Sequence, residues 1–529
     1  MRQSIHILQS FDTLRQHLET EEIACAAREA RSILVQIYSV ATDPNLAKDL
    51  VGLLESALPG VVVVGSSTVG EVALGATHTA STLLVFSFFR STSLRVVDQP
   101  CPSGTEYASG LELGTKIRKS LPHASAVLLL ATPLSFDVNP MLKGLGETLG
   151  DCLVFGGGAG DYAAMVQSWV LHGRQLYDQG AVAVAMAGEH LQVAAKTCLG
   201  WCPLGREMTV TGVEGMRITS IDGHPALAVY QRYINVEDIG EFGLISAEFP
   251  FLFDTRNGIV ARVPIAADSD GALVFMANIE VGEKFRIGCG DPQKMLDASA
   301  GIHQAMMAFA PEGILVFSCG CRRYLMQEDV ELETRPLQTI APTAGFYTYG
   351  EFFGSGSRLH LMNAALLTVG LREVIPGESA PQRGLPQEIS RATVSSLHDP
   401  YAQQHSRVLS SLLRFISSVT TELEQANADL RKSADDLHQA QELYHLVADN
   451  SADVIWLLDW VELRFRYVSP SVKRQHGWTA EEIMALPWSS ILHPQLEARL
   501  RKTLNESIEK LQSGDACARF ITMEIPLLH

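Results

Sequence analysis

The sequence predicts a large α/β module with an α+β second half, followed by a long coiled-coil helix and a small α+β domain. Short β-branched runs alternate with amphipathic stretches from about residue 30 to 370, which is the pattern of strands and helices that alternate along a chain. An unbroken heptad register then runs from Leu409 to Tyr444, long enough to favour a coiled coil over an ordinary surface helix. New strand patterns begin at Val454.

Length and composition exclude several classes of protein. The 529 residues are enough for about three or four domains, and 47% apolar against 19% charged residues indicates a globular chain. The net charge of −18 argues against a nucleic-acid partner, because phosphate binding depends on clustered Lys and Arg. No apolar run reaches the ~18 to 20 residues of a membrane span and the first residues resemble no secretory signal, so we expect a cytoplasmic protein. Nine cysteines without zinc-site spacing predict reduced thiols and no metal site.

The first strand and helix are clearly marked. Ser32–Tyr38 has the composition of a buried strand, and Pro44 stands where a helix begins. Pro59 and Gly60 end that helix, and Val61–Val64 predicts a second strand. Strand, helix and strand form a βαβ unit, whose crossover should be right-handed.

Further apolar runs predict more strands. Those of the first half suit strands that are covered on both faces, and they are Leu83–Phe88, Val127–Ala131, Leu153–Phe155 and Ala181–Met186. Beyond residue 190 the strands look more alternating and hairpin-like, as in Leu273–Asn278, with Ile314–Ser318 again fully buried.

Polar side chains follow the strand at Val61–Val64. Ser66, Ser67 and Glu71 come just after it, at the edge where open α/β sheets place their ligands. The serines could hold a carboxylate and Glu71 an ammonium group. The alternative is a Gly-rich turn whose serines cap the next helix.

Two further groups are candidates for ligand contacts. Arg322 and Arg323 follow a buried strand, and an arginine fork suits a carboxylate, although an internal salt bridge to an acid such as Glu351 would also explain them. Tyr347, Tyr349 and Glu351 alternate, so we expect them on one face of a strand, lining a polar pocket. Gly156–Gly160 lacks the Lys-Ser/Thr of a phosphate loop and predicts close backbone packing instead.

Six ordered blocks resemble the FIST sensory domain family. They are Val64–Glu71, Phe155–Asp161, Gly200–Gly205, Ile221–Ala226, Ser318–Arg323 with Gly345–Glu351, and Leu359–Asn363. The resemblance implies an intracellular sensor of small ligands, such as amino acids or related metabolites, and adds Asn363 to the candidate ligand-binding residues. Ala365 departs from the family pattern, which has a Thr two residues after the Asn.

Some members of this family are haem proteins that respond to nitric oxide. Haem would need a neutral axial His in an apolar pocket, and His360, the only His in a block of the second half, is the candidate. No Ser/His/Asp order, nucleophile elbow or H-E-x-x-H motif occurs, so we predict no catalytic residues. No cofactor is required by the sequence.

The heptad segment predicts a helix that needs a partner. Its apolar row is Leu409, Ile416, Leu423, Leu430, Leu437 and Tyr444. The companion row is Leu412, Val419, Ala426, Ser433, Ala440 and Val447. We expect a parallel homodimer through residues 409–447; the alternative is a helix folded back on its own domain.

The remaining chain resembles a PAS domain. The matching blocks are Asp449–Asp453, Tyr467–Ser471, Gly477–Glu482, His493–Pro494 and Phe520–Ile525. The resemblance implies a small hydrophobic pocket, which Trp456, Trp478 and Trp488 could line, although tryptophans are also common in cores. The family pattern continues beyond His529 with another hairpin, so we expect an incomplete domain and a missing output module.

The sequence therefore predicts five segments and a signalling role. The segments are residues 1–226 (FIST N-terminal domain), 227–372 (FIST C-terminal domain), 373–400 (linker), 401–447 (coiled coil) and 448–529 (incomplete PAS domain). We expect a sensor of a small molecule that signals through the dimeric helix and the PAS domain to an output such as a histidine kinase or diguanylate cyclase. A haem-based gas sensor, a scaffold without a ligand, and an enzyme in its own right are the alternatives.

Overall fold

The computed structural model forms two compact units, Met1–Val419 and Thr420–His529. The residues that it describes are 1–40, 44–234, 236, 242–255, 258–276, 279–375, 405–459, 462, 464–487, 490–491 and 494–512. Residues 376–400 of the predicted linker (373–400) lie outside them, and so do Trp488, His493 and Phe520–Ile525. The strand β26 ends at Glu373, the first residue of that predicted linker. Within the described ranges, no helix is long and apolar enough to cross a membrane.

The first repeat of unit 1 confirms the predicted βαβ unit. It consists of β1 (Arg2–Ile7), α1 (Phe11–Leu18), α2 (Glu21–Glu29), β2 (Ser32–Ser39), α3 (Pro44–Ala57), β3 (Val62–Ser67), β4 (Glu71–Ala73), β5 (Ala76–His78) and β6 (Thr82–Phe89). Strands β2 and β3 are parallel neighbours, and α3 connects them. Ser10 and Thr20 cap α1 and α2 by accepting from backbone N–H groups of the first turn, which satisfies donors that a helix start otherwise leaves free.

The second repeat has the same order of elements with one helix fewer. It consists of β7 (Ser93–Pro100), α4 (Glu106–Ser120), β8 (Ala126–Ala131), α5 (Val138–Leu149), β9 (Leu153–Gly158), β10 (Val170–His172), β11 (Gln175–Tyr177) and β12 (Gly180–Ala187). Strands β8 and β9 are parallel, as β2 and β3 are in the first repeat.

An antiparallel insertion interrupts the third repeat after its first strand, β13 (Leu191–Cys198). It contains β14 (Trp201–Glu214), β15 (Arg217–Ile221), β16 (His224–Pro225), α6 (Ala226–Tyr233), α7 (Phe242–Ser246), β17 (Phe251–Thr255), β18 (Gly258–Arg262), β19 (Pro264–Ala267), β20 (Leu273–Phe275) and β21 (Lys284–Gly290). These strands form one eight-stranded sheet. The hairpin pattern expected beyond residue 190 comes from this insertion.

The third repeat then resumes. It consists of α8 (Pro292–Phe309), β22 (Gly313–Cys319), α9 (Gly320–Met326), α10 (Glu331–Gln338), β23 (Thr343–Thr348), β24 (Glu351–Gly354), β25 (His360–Met362) and β26 (Leu366–Glu373). Its strands β22 and β23 are parallel. The sequence predicts an α+β second half. The antiparallel strands of that half belong to the insertion, and a third α/β repeat follows them.

The three repeats exchange hairpins around a closed cycle. Each contributes four strands to its own sheet and a two-stranded hairpin to the sheet of the repeat before it in the cycle, so that three six-stranded sheets result. The orders are β1-β6-β2-β3-β10-β11, β7-β12-β8-β9-β24-β25 and β13-β26-β22-β23-β4-β5. This exchange ties the three repeats into one unit, because no sheet is complete without a neighbour's hairpin.

The inner faces of the three sheets share one core. Phe155, Phe317 and Phe346 pack there with Leu83 and Leu130. The outer faces are covered separately, by α1–α3 on the first sheet, by α4 and α5 on the second and by α8 and α10 on the third. All-apolar strands such as β8 are explained by this burial on both faces.

A long helix, α11 (His405–Asn450), crosses the boundary between the two units. Within unit 1 its Phe415 is buried in the core of the insertion and packs against Tyr233 with tilted rings, whose centroids are 5.6 Å apart. Further along, Leu423 and Leu430 are 61% and 69% exposed. The start of the helix therefore packs on its own domain, as the alternative predicts, while the apolar row beyond it lies open in a single chain.

Unit 2 continues with a small α+β segment. It contains β27 (Trp456–Asp459), β28 (Arg464–Val468), α12 (Val472–His476), α13 (Ala480–Ala485) and α14 (Pro494–Gln512). Strands β27 and β28 form an antiparallel hairpin, and Val468, Val472 and Ile483 form its buried cluster.

Candidate functional site

Three short turns with the same pattern follow the second parallel strand of each repeat. They are Thr68-Val69-Gly70-Glu71, Gly158-Ala159-Gly160-Asp161 and Thr348-Tyr349-Gly350-Glu351. We call them the acidic turns. In the first and third, Gly70 and Gly350 have φ of +116° and +101°, a backbone conformation that favours glycine. At each of these two residues the chain leaves its own sheet for the hairpin in the sheet of the repeat before it in the cycle.

Backbone hydrogen bonds join the three acidic turns in a ring. The N–H groups of Gly160 and Tyr162 donate to Ser67 and Thr68 (3.0 and 3.2 Å). In the other two junctions, Val69 donates to Tyr347 (2.9 Å) and Gly158 to Gly350 (2.8 Å). The ends of three sheets therefore meet at one place in unit 1, and the side chains of the turns are brought together there.

Glu71 is the buried acid of the first turn. The hydroxyls of Thr68 and Ser81 donate to its two carboxylate oxygens (2.6 and 2.7 Å). Burial raises the pKa of Glu71 to about 7, and the two hydroxyls and the positive charge of Arg323 oppose that rise. Such a carboxyl gains or loses its proton near neutral pH, which is typical of functional sites.

Glu351 is the equivalent acid of the third turn. The hydroxyl of Thr348 donates to Oε1 (2.5 Å) and the N–H of Ala365 to Oε2 (3.3 Å). Burial and the neighbouring Cys319 thiol raise the pKa of Glu351 well above its usual range. The threonine three residues before each acid thus has the same role in both turns.

Asp161 of the second turn organises a loop instead. Its carboxylate accepts the Tyr349 hydroxyl (2.8 Å) and the N–H groups of Met165, Val166 and Gln167 (2.9, 2.6 and 2.9 Å). In the same loop Tyr162, Ala163 and Met165 have φ between +54° and +67°. Such strain in residues other than glycine costs of the order of 1 kcal/mol each and is often found at functional sites.

Arg323 brings a positive charge to the junction of all three repeats. Its guanidinium lies between the rings of Tyr162 and Tyr347, at 5.2 and 5.7 Å from their centroids. It donates to the Val69 carbonyl and to the Tyr162 hydroxyl (3.3 Å). A Cβ on Gly70 would lie 2.8 Å from Nη1 of Arg323, so the residue before Glu71 must be small.

Arg322 has a different environment. It is fully buried and forms an ion pair with Glu333, whose side chain is also buried. Nη1 donates to the carbonyls of Leu199 and Ala364 (3.3 Å for the second). The internal salt bridge expected as an alternative is therefore present, but its acid is Glu333 and not Glu351.

The remaining candidates of the first half contact the backbone. The Ser66 hydroxyl donates to the Ser67 carbonyl (2.8 Å), and Ser67 Oγ accepts from Trp169 N (2.9 Å). The alternative role as helix caps is wrong, because the next element is the β4–β5 hairpin and not a helix. Asn363 is buried, and its Nδ2 would lie 3.1 Å from a Cβ on Gly350.

The prediction that Tyr347, Tyr349 and Glu351 share one strand face is wrong. Strand β23 ends at Thr348, and Glu351 begins a strand of another sheet, because Gly350 turns the chain. Tyr347 bonds Thr77 (2.8 Å) while Tyr349 bonds Asp161, so the two phenols serve different junctions.

The glycines of Phe155–Asp161 pack closely against the backbone, as the sequence predicts. A Cβ on Gly156 would collide with the Leu129 carbonyl, and one on Gly158 would lie 2.7 Å from the Tyr349 carbonyl. Strand β9 pairs with β8 on one side and with the exchanged strand β24 on the other, so these glycines lie where two repeats meet.

His360 does not have the surroundings of an axial haem ligand. It lies half-exposed on the hairpin strand β25, and its Nδ1 donates to the Arg358 carbonyl (2.7 Å). Haem needs an apolar pocket around its axial ligand. Among the described residues, no cluster of His, Cys, Asp or Glu could hold a metal ion.

The two described tryptophans of unit 2 are on its surface. Trp456 and Trp478 are 47% and 43% exposed, and Trp456 packs edge to face on Phe465. Neither side chain belongs to the described buried cluster of unit 2. Their role in a PAS pocket stays a prediction.

Comparison with known families decides what unit 1 is. Residues 33–224 match the FIST N domain and residues 226–354 match the FIST C domain. Residues 33–354 are therefore a FIST module. The boundary between the two matches falls inside the antiparallel insertion. The FIST C match therefore begins in the insertion and continues through most of the third repeat.

Relatives of known sequence do not identify a ligand. An uncharacterized protein found in two strains of Mycobacterium tuberculosis is 24% identical over 246 residues, which are 42% of this chain and 62% of the relative. The match thus spans less than two thirds of the length of these curated relatives.

Two solved structures resemble the chain only distantly. A chorismatase has 10% identity and a TM-score of 0.28, and covers 70% of this chain and 97% of its own. A cyanuric acid hydrolase from A. caulinodans has 10% identity and a TM-score of 0.30, and covers 70% and 99%. Likeness at such TM-scores supports no conclusion about this chain.

The sequence patterns did not predict a role in the site for several residues. Thr68, Thr348 and Tyr162 are among them, and so is Glu333 as the partner of Arg322. The shared spacing of the three acidic turns is the signal that could have found the threonines and Asp161, since all three segments are visible in the sequence. No local signal pairs Glu333 with Arg322.

Proposed function

We propose that the FIST module is a sensor of a small zwitterionic metabolite such as an α-amino acid, bound where the acidic turns meet. The observation that supports this is the presence of Glu71 and Arg323, two groups of opposite charge, in one buried junction between repeats. An α-amino acid carries the complementary pair, an ammonium group for Glu71 and a carboxylate for Arg323.

The surroundings of Glu71 and Arg323 suit the binding of an ammonium group and a carboxylate. Glu71 is bound by two neutral hydroxyls, and an ammonium ion nearby would favour its charged form. The guanidinium of Arg323 donates to the Val69 carbonyl and to the Tyr162 hydroxyl, and a ligand carboxylate would be a stronger acceptor than either of these two groups. Tyr162 lies in the strained loop after Asp161, so ligand contact there would act directly on that loop.

The long helix would carry the signal onward in a dimer. Its first turns are anchored on the insertion through Phe415, and its exposed row, Ile416, Leu423, Leu430, Leu437 and Tyr444, offers a seam for a second copy. Ligand binding can shift such a dimer only if its affinity differs between two arrangements of the helices. We propose that residues 448–529 act as a PAS domain that passes the shift, inside the cell, to an output such as a histidine kinase or diguanylate cyclase.

A thermal-shift screen of the purified protein against the proteinogenic amino acids tests this function. A ligand at a hundred times its Kd stabilises the folded state by about 2.7 kcal/mol, which gives a measurable rise in the melting temperature. We expect a rise with a few chemically related amino acids. No rise with any of them would contradict a metabolite sensor and favour a scaffold.

A further inference from the structure

Cys319 and Cys321 form a close pair of thiols beside the site. The Cys321 thiol donates to Cys319 Sγ at 3.1 Å, and both residues are free cysteines. Cys319 is the last residue of β22 and Cys321 lies in the first turn of α9, with Gly320 between them. A disulfide needs sulfur atoms about 2.05 Å apart, so closing this bond requires a movement of about 1 Å.

The two thiols are chemically unequal. The hydrogen bond from Cys321 lowers the pKa of Cys319 to about 7, against the effect of burial, and the charge of Arg322 adds to this. Burial and the hydrogen bond to Cys319 raise the pKa of Cys321 well above its usual range. A low-pKa thiol next to a second, neutral thiol is the arrangement of an attacking and a resolving cysteine.

We propose that Cys319 and Cys321 are a reversible dithiol switch that hydroperoxides oxidise to a disulfide. The Cys319 thiolate attacks one oxygen of the hydroperoxide, whose O–O bond breaks, giving a sulfenic acid on Cys319 and releasing hydroxide or alkoxide. The Cys321 thiol then attacks the sulfenyl sulfur, forming the S–S bond and releasing water. Two electrons pass from the two sulfur atoms to the hydroperoxide, and a small-molecule thiol can return them.

The position of the pair connects this chemistry with the ligand site. Arg322 and Arg323 follow directly in the same turn of α9, so a disulfide between 319 and 321 strains the backbone that positions both guanidinium groups. The negative charge of the Cys319 thiolate is one cause of the raised pKa of Glu351, and oxidation removes that charge. Oxidation should therefore change the packing of the first and third acidic turns.

Peptide mapping of the folded protein tests the proposal. After treatment with hydrogen peroxide, free thiols are alkylated and the protein is cut with trypsin. Cys319 and Cys321 are the only cysteines of the tryptic peptide Met295–Arg322. We expect this peptide to lose two hydrogens and both alkylation sites, and to regain them after reduction by dithiothreitol. A peptide that stays doubly alkylated while the peroxide is consumed by other thiols would overturn the proposal.

Single substitutions separate the two roles. Because Cys319 is the thiol whose pKa is lowered, it should react first, and Cys319→Ser should slow the oxidation of Cys321 by ~10-fold or more relative to Cys321 in the wild type. Cys321→Ser should leave a sulfenic acid on Cys319 that dimedone traps. Cys25→Ser, on α2, serves as the control and should change neither rate. Equal oxidation of Cys321 with and without Cys319 would contradict the assignment, and mapping of the wild type decides the proposal even if a variant fails to fold.

Discussion

At the scale of single residues, the site contains two buried glutamates, each of which accepts hydrogen bonds from neutral groups. It also contains two neighbouring arginines that have different contacts. Glu71 and Glu351 each accept a hydroxyl from a threonine three residues earlier. Arg322 is paired with an acid, while Arg323 lies between two phenol rings. Neighbouring arginines that look alike in the sequence thus have different surroundings, and we propose a role in stability for Arg322 and a role in binding for Arg323.

The raised pKa of Glu71 predicts a pH dependence of stability. Because its pKa rises on folding from 4.5 to about 7, the folded state binds more protons between these values, and stability falls as pH rises through this window. Glu71→Gln cannot ionise, so its stability relative to the wild type should increase from pH 4.5 to pH 7, by up to ~3 kcal/mol. Urea denaturation at several pH values measures this difference, and a difference that is independent of pH would show that Glu71 is not the titrating group.

The buried ion pair predicts a large loss of stability on truncation. Arg322→Ala leaves Glu333 buried without its partner, which typically costs about 3–5 kcal/mol. Arg335→Ala is the matched control, because Arg335 pairs with Glu331 but is 54% exposed, and it should cost about 1 kcal/mol or less. Comparable losses in the two variants, measured by urea denaturation, would contradict the structural role of Arg322.

Residue identity was only partly predictable from the sequence. Glu71 and Arg323 were candidates because each follows an apolar strand, and Tyr347 because it alternates with other polar residues along a strand. The structure brings these three residues close together. The partner of Arg322 was not predicted, because Glu333 lies beyond α9 in the sequence and only the packing of the third repeat brings it near Arg322. The prediction for Tyr347 and Glu351 failed because alternation assumes one continuous strand, whereas Gly350 ends it.

At the scale of elements, α11 combines two functions along its length. Phe415 is part of the core of the insertion, whereas Leu423 and Leu430 project from the chain. The heptad pattern predicted the helix and its apolar row. It did not predict the anchor, because Phe415 stands outside both heptad rows.

Substitutions in the two parts of α11 should have separate effects. Leu423→Asp with Leu430→Asp places charges in the proposed seam and should convert dimers to monomers by light scattering, with little change in the melting of unit 1. Phe415→Ala should destabilise unit 1 by about 3 kcal/mol, as measured by thermal unfolding. A double variant that stays dimeric would place the dimer contact elsewhere and remove the basis for signalling through this helix.

At the scale of the whole molecule, unit 1 is a cycle of three α/β repeats around one core. Apolar runs predicted most of the strands, because strands covered on both faces are apolar throughout. The cycle itself was not predicted, since the exchanged hairpins β4–β5, β10–β11 and β24–β25 are short and pair with strands remote in the sequence.

The shared core predicts that the repeats unfold together. Amide protons of β2, β8 and β22 should exchange with the same opening free energy, because each sheet contains a neighbour's hairpin. Native-state hydrogen exchange at increasing urea concentration measures these values. Earlier opening of one repeat would mean that the three sheets are independent.

Calorimetric titration with the amino acid that gives the largest thermal shift tests the central claim most directly. Losing a charge-assisted contact costs ~1.5 to 3 kcal/mol, so Glu71→Gln and Arg323→Ala should each weaken binding by roughly ten- to 150-fold. The wild-type affinity should also increase as pH rises through the pKa of Glu71, about 7, and this increase should be absent in Glu71→Gln. The control is Glu147→Gln, an exposed carboxyl that also accepts a hydroxyl, from Tyr107, and it should bind as the wild type does. An unchanged Kd in both Glu71→Gln and Arg323→Ala would contradict a ligand site at the junction of the acidic turns.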